Sequence, residues 1–464
     1  MKTQNKNFLY NAIYQIFMFI IPMITIPYVS RILGVDNVGI YSYTYSIVYY
    51  FMLFSMLGIS NYGSREIAKC HNQMEINTTF KSIYLLQLTL NVVCLGLYFF
   101  SIILLNYEYK NIMIIQTIFL ISVAFDINWF FFGKEKFKVT VTRNVIIKFL
   151  SLILIFIFVR SETDLWIYTL IMGVSTLLSQ IYLWLFLGKE VQNVKVGIKS
   201  IVRHLKPCLI LFIPVISYSI YRVMDKTMIG SLANTIELGN YESAEKIINI
   251  PGSFVAALGT VMLPHMSKKS LEEIKRSIYE TFELTFFIIT PMIIGLFIVA
   301  RDFSDLFFGS GYDKAGILIR ILAITILFSS VANVIRTNFL IPLKKDKVYV
   351  ISTVIGAIVN LVCNVLLIKS YGAYGACVGT ILAEFLLMFY QVINTKNDID
   401  YRKVLTILFK YFCKSVIIGI LIFIFGYFIN NIMLKLILQI AITIILYILL
   451  NYKYIKYDFL GKKE

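Results

Sequence analysis

The sequence predicts an all-α integral membrane protein of about fourteen transmembrane helices, built as two six-helix lobes followed by two further helices. Three observations carry that expectation. Hydrophobic residues fill 59% of the 464 positions and charged residues only 15%, against roughly a quarter charged in a soluble domain. Mean hydropathy is +0.79, which over this length excludes a water-soluble globule, a disordered chain and a disulfide scaffold. At about 20 apolar residues per crossing, the apolar content supplies about 13 or 14 crossings.

The hydrophobic segments fall at about 8–30, 39–62, 82–105, 111–132, 144–160, 165–187, 207–231, 238–264, 278–300, 315–341, 349–368, 372–394, 404–429 and 432–452. The fifth is the shortest, and the seventh and eighth are interrupted by charge. The stretch Met1 to Asn7, with Lys2 and Lys6, has the form of a signal n-region. The apolar run after it is too long for a secretory core and has no small-residue cleavage site, so an uncleaved first span is expected. Short turns alternate with basic loops, namely Lys134/Lys136/Lys138/Arg143, Lys189 to Lys206, Lys268/Lys269/Lys275/Arg276 and Lys344/Lys345/Lys347. By the positive-inside rule these loops and both termini face the cytoplasm. The net charge of +17 is then loop charge and not a nucleic-acid footprint.

The expected division is 1–187 for spans one to six, a linker at 188–206, 207–394 for spans seven to twelve, and 395–464 for two extra spans and a basic cytoplasmic tail. In the linker, Val191, Val194, Ile198, Ile201 and Leu205 recur at helical spacing while Lys195, Lys199, Arg203 and Lys206 take the other face. That pattern predicts an amphipathic helix in the inner interface. The lobes share a short echo: Gly39-Ile40-Tyr41-Ser42 in SRILGVDNVGIYSY (30–43) and Gly239-Asn240-Tyr241-Glu242 in IGSLANTIELGNYES (229–243). Paired lobes of this kind place a transported substrate between them.

Several chemistries are excluded. The six cysteines are scattered without pairing or metal spacing, and three histidines do not make a zinc or haem site. No metal and no cofactor is expected. There is no P-loop, and no hydrophilic stretch long enough for a soluble catalytic domain, so the chain is not expected to be an enzyme. Gly375 and Gly379 form a G-x-x-x-G that reads as close helix packing.

The informative residues are charges inside spans, which are costly and usually face a cavity or a partner. Span seven carries Arg222, Asp225 and Lys226, with Tyr218 one turn before Arg222 on the same face as Lys226. Span eight carries Glu242, Glu245, Lys246, Asn249 and Ser253 as a polar stripe. Span one has a milder stripe of Asn11, Gln15 and Thr25. Span ten has Arg320, Asn333 and Arg336. One reading makes these internal pairs, Glu242 with Lys246 and Asp225 with Arg222. The other makes Arg222, Lys226, Lys246, Arg320, Arg336, Tyr218 and Asn249 the lining of a hydrated cavity for an anion such as phosphate or pyrophosphate. Asp126 and Glu384, acids within spans four and twelve, are candidates for carrying a coupling ion, together with Asp225 and Glu242. In span two, Tyr41, Tyr43, Tyr45, Tyr49 and Tyr50 are chiefly packing or belt residues, with ring stacking on sugar as the alternative.

The opening, with Pro22, Pro27 and SRILGVDNVGIYSY, resembles bacterial Wzx-type oligosaccharide flippases of the multidrug/oligosaccharidyl-lipid/polysaccharide exporter superfamily. GNYESAEKI (239–247), RDFSDLFFGSGYDKA (301–315) and KSYGAYGACVGTILAE (369–384) extend the resemblance over nearly the whole chain. It implies a pseudo-symmetric, two-lobed, MATE-like transporter in the bacterial cytoplasmic membrane. Such a protein moves an undecaprenyl-pyrophosphate-linked repeat unit between leaflets by alternating access, for capsule or O-antigen-type polysaccharide. It further implies a cationic cavity, matched best by Arg222 and Lys226, an H+ or Na+ gradient, and work alongside a polymerase and glycosyltransferases. Arg31 matches the loop motif and has a structural role. Alternatives stay open: a multidrug exporter, which calls for buried acids that span one lacks, a peptidoglycan-precursor flippase, and a repeat-unit polymerase.

Overall fold

The structure, a computed structural model, describes residues 2–188, 190–266, 270–452 and 454. Within them the side chains of 2–20, 137, 138, 214, 217, 218, 220–222, 257, 260, 261 and 263–265 lie outside the description. Every regular element among the described residues is helical. Two compact units emerge, Met1–Ser231 and Leu232–Glu464.

The first unit opens with α1 (Lys2–Met56), a single helix by hydrogen bonding that is broken at Gly34, where φ is 76°. That conformation suits glycine because it has no Cβ. The break separates the expected spans one and two within their predicted turn. The helix α2 (Ile59–Ala68) follows Gly58, also at positive φ. Next come α3 (Gln73–Leu105), α4 (Lys110–Ala124), α5 (Asn128–Gly133), α6 (Phe137–Phe158), α7 (Leu165–Leu187), α8 (Ile198–Val202) and α9 (Leu205–Leu232). The fourth expected span is two pieces, α4 and α5. The fifth starts at Phe137, seven residues before its predicted edge at 144, because apolar count alone discounts the polar first turns that the helix includes.

The second unit contains α10 (Thr235–Met266), α11 (Leu271–Phe308), α12 (Asp313–Ile335), a π-helical turn Arg336–Leu340, α13 (Asp346–Tyr371), α14 (Ala373–Thr395), α15 (Tyr401–Gly426) and α16 (Ile432–Leu450). Among the described residues, ten helical segments are long and apolar enough to cross a membrane. The other four expected spans fall on α1, α9 and α10. Of the most apolar stretch of α6 only 11% is buried, and of α16 only 17%. Apolar faces so exposed would be untenable in water and are satisfied by lipid.

The linker corrects one expectation. Instead of one amphipathic helix, 191–197 is irregular and only Ile198–Val202 is helical. The expected apolar face splits. Val191, Ile201 and Leu205 pack on the first unit's core of Tyr62, Phe80, Ile83, Trp129 and Phe212, while Ile198 points outward, 78% exposed, and Val194 is half-buried. A continuous helix would carry all five on one side, and the core takes only three.

At the start of α9 the chain is fastened by a histidine. His204, 4% exposed, hydrogen-bonds Tyr62 of α2 through Nδ1 at 2.6 Å and Ser82 of α3 through Nε2 at 3.1 Å. Burial, and then the adjacent Arg203 guanidinium, push its pKa down to about 4. Between that value and the ordinary 6.5 the unfolded chain binds a proton that the folded protein does not, so stability rises with pH across this window. Acidifying from pH 7 to 5 should therefore lower the melting temperature of the purified protein. His204→Gln should reduce that slope while costing stability at pH 7; an unchanged slope would show that His204 does not set it.

Candidate functional site

In the first unit the C-terminal half of α9 touches α1 at two described points. Thr227 Oγ1 donates to Ser46 Oγ at 2.9 Å, and the Tyr43 ring sits against Gly230. On this half of α9, Asp225 is 5% exposed and Lys226 is half-buried; both have polar partners. Asp225 is close enough to Tyr50 to act on it electrostatically. The backbone keeps Tyr218, Arg222 and Lys226 at successive i, i+4 positions of one helix, and the side chains of Tyr218 and Arg222 lie outside the described residues. Charges at the membrane centre cost about 2.5–3.5 kcal/mol each, so a cluster in mid-helix requires protein or ligand compensation.

Asp126 is placed in the break between α4 and α5, and the break explains it. Its Oδ1 accepts from the Asn128 backbone N–H at 2.9 Å and from Asn128 Nδ2 at 2.7 Å, satisfying an amide at the start of α5. Gln87 closes the other side, donating to the Val123 and Asp126 carbonyls while accepting from Trp129 Nε1. Arg143, 5% exposed, donates to Asn128 Oδ1 at 3.0 Å and Gln180 Oε1 at 3.4 Å. The sequence places Arg143 in a basic loop; the earlier start of α6 brings it inside the unit. Asp126 thus belongs to a network and is not a lone acid.

In the second unit the Glu242–Lys246 pair forms, at 3.3 Å on α10. Asn249 and Glu245 on the same stripe also have polar partners, as does half-buried Glu384 on α14. Arg320 turns to α11, with Nη2 donating to the Ile298 carbonyl at 3.5 Å and the guanidinium 5.9 Å from the Phe297 ring centre. Arg336 opens the π-helical turn with its guanidinium 5.6 Å from the ring centre of Tyr349 on α13. These cations contact neighbouring helices of the unit, and the structure does not bring Lys246, Arg320 and Arg336 together by any described contact.

The segments that carry the family resemblance converge within the second unit. Asn240 Oδ1 accepts from the Ala315 N–H at the start of α12, and Tyr241 hydrogen-bonds Thr380 of α14 at 3.1 Å. One turn earlier, Glu237 binds Lys314 Nζ at 2.5 Å and the Ala373 N–H at 2.8 Å. The first unit makes the matching contacts with its half of the echo. Gln116 of α4 donates to the Tyr41 carbonyl at 3.3 Å, and the Tyr41 ring packs edge-on to Tyr168 of α7. The echo residues therefore join corresponding helices in each unit. Sequence reasoning missed Glu237 and Lys314, whose pairing across 77 positions has no local signal.

A model of the polysaccharide biosynthesis protein family matches residues 5–270, more than half of the chain. The chain belongs to that family. A Shigella dysenteriae protein provisionally named an O-antigen transporter is 25% identical over 382 residues, covering 81% of this chain and 95% of its own. The structure of a lipid II flippase MurJ in an inward closed conformation superposes with a TM-score of 0.80 at 17% identity, covering 97% of this chain and 99% of that one. An inward-facing multidrug resistance MATE transporter gives a TM-score of 0.61 at 11% identity, covering 83% and 98%. The helical transporter fold expected for this family member is thereby shown.

Proposed function

We propose that this family member is a flippase that carries an undecaprenyl-pyrophosphate-linked oligosaccharide repeat unit across the bacterial cytoplasmic membrane by alternating access, for O-antigen- or capsule-type polysaccharide. The observation that supports it is the cluster of Asp225 and Lys226, with Arg222 one turn away, inside a helix of a polysaccharide-family chain. Fixed cations suit a pyrophosphate, which Arg and Lys bind through charge-assisted hydrogen bonds. The chain acts as a transporter and makes or breaks no covalent bond. Asp126, Asp225, Glu242 and Glu384 are the acids proposed to carry H+ or Na+, with glycosyltransferases as the partners upstream and a polymerase downstream.

The function is tested by expressing the chain in a strain lacking its own flippase but supplied with the matching repeat unit. Restored surface polymer, with a fall in lipid-linked repeat units held inside, is the expected result. Unrestored polymer with normal protein levels would reject it. The proposed orientation is checked separately: reporter fusions after Asp313 and after Lys345 should report external and cytoplasmic positions respectively, and the same side for both would break the topology.

A further inference from the structure

Two spans of the first unit break near their C-terminal ends, and the pieces beyond the breaks pack on each other. Beyond α1 comes α2, ten residues long, and beyond α4 comes α5, six residues long. Neither piece is long enough to cross a bilayer. The first break passes through two successive left-handed residues, Leu57 at φ 41° and Gly58 at φ 74°. Leucine rarely adopts that conformation, and backbone strain of this kind gathers at switch segments. The second break, Phe125 to Ile127, is held by Gln87 of α3, which donates to the Val123 and Asp126 carbonyls.

A glycine on each piece lets the two touch. A Cβ on Gly63 of α2 would stand 2.5 Å from the Trp129 ring of α5, and one on Gly133 of α5 would stand 2.7 Å from the Ser64 carbonyl oxygen of α2. Contacts that close make α2 and α5 one packed body. The far ends of that body return to α3 and α6 through short turns at 69–72 and 134–136, the second with Glu135 at φ 54°. Two polar bonds pin it to its surroundings. Tyr62 of α2 bonds His204 at the start of α9 at 2.6 Å, and Trp129 Nε1 of α5 donates to Gln87 Oε1 at 3.0 Å. Cys208 of α9, 0% exposed, belongs to the core that α2 and α5 cover. Its carbonyl oxygen lies 3.0 Å from where a Cβ on Gly58 would stand, directly at the first break.

We propose that α2 and α5 form a single hinged flap, which rocks about Leu57–Gly58 and Phe125–Ile127 and is latched shut by the Tyr62–His204 and Trp129–Gln87 bonds. A body tethered at all four turns rocks and does not detach. In the proposed orientation the flap lies at the cytoplasmic end, where a lipid-linked substrate enters. It lets that end change shape without breaking the interior of a spanning helix. The proposal goes beyond the functional reading and takes only its sidedness from it.

The test uses the full-length protein with Cys208 as its only thiol, the other five cysteines being replaced by serine or alanine. A second version keeps only Cys94, which is buried in a separate core on α3. Both are reacted with a membrane-impermeant maleimide in sealed inside-out vesicles, where the labelling rate of a buried thiol reads local opening. The expected result is slow labelling of Cys208, raised at least about tenfold by Tyr62→Phe and by Gln87→Met, the effect of losing a buried hydrogen bond. Cys94 should stay unlabelled in all three proteins. Gln87→Met decides whether the pieces move together, because Gln87 bonds α5 and the second break and has no described bond to α2. Unchanged labelling of Cys208 in both variants overturns the flap. So does an equal gain at Cys94, which would mean that the whole unit loosens, or a gain with Tyr62→Phe alone, which would mean that α2 moves without α5. The expected pattern confined to right-side-out vesicles keeps the flap and overturns the proposed orientation instead.

Discussion

Alanine at both Arg222 and Lys226 should abolish surface polymer export while the variant inserts at wild-type levels. Each charge-assisted contact to a ligand is worth about 1.5–3 kcal/mol, so losing two lowers the export rate by roughly a hundredfold or more. Arg222→Lys should retain more export than Arg222→Ala, because the charge remains and only the planar fork is lost. The competing account is internal pairing with Asp225, which is buried and has polar partners. Under that account the double variant Arg222→Ala, Asp225→Ala regains export, since no buried charge is left alone. Full export by a well-expressed Arg222→Ala, Lys226→Ala protein would remove the cationic site from α9.

Arg143→Met should destabilise the protein by about 3 kcal/mol, within the range measured when one partner of a buried charged network is removed. It deletes the donors to Asn128 and Gln180 and withdraws the cation that acts on Asp126. A melting temperature within a degree of wild type would show that the network carries no stability. Asp126→Asn should be milder, because an oxygen remains to accept from the Asn128 amide. If Asp126 also carries the coupling ion, Asp126→Asn loses gradient-driven export while keeping its melting temperature, which separates the two roles.

The helical class was legible because a period-independent quantity, total apolar content, decides it. The turn between spans one and two was legible because the apolar runs 8–30 and 39–62 leave a gap, and the break at Gly34 falls in it. The break in span four was not, since Phe125, Asp126 and Ile127 contain no glycine or proline; Gln87, distant in sequence, supplies the hydrogen bonds that hold it. Among the candidate residues, the Glu242–Lys246 pair follows directly from i, i+4 spacing. Arg320 and Arg336 were visible as charges, but their aromatic contacts, Phe297 and Tyr349, come from other helices. Glu237, Lys314 and Arg143 were hidden for the same reason: what they do depends on which helices are neighbours.

The most direct measurement of the central claim is translocation in proteoliposomes containing the purified chain and a fluorescent polyprenyl-pyrophosphate-linked oligosaccharide, with a membrane-impermeant quencher outside. The account predicts protein-dependent movement of the label between leaflets, slowed by excess pyrophosphate-linked competitor and lost in Arg222→Ala, Lys226→Ala vesicles. Vesicles that leave this lipid in its original leaflet yet export an organic cation dye would contradict it and identify a multidrug exporter.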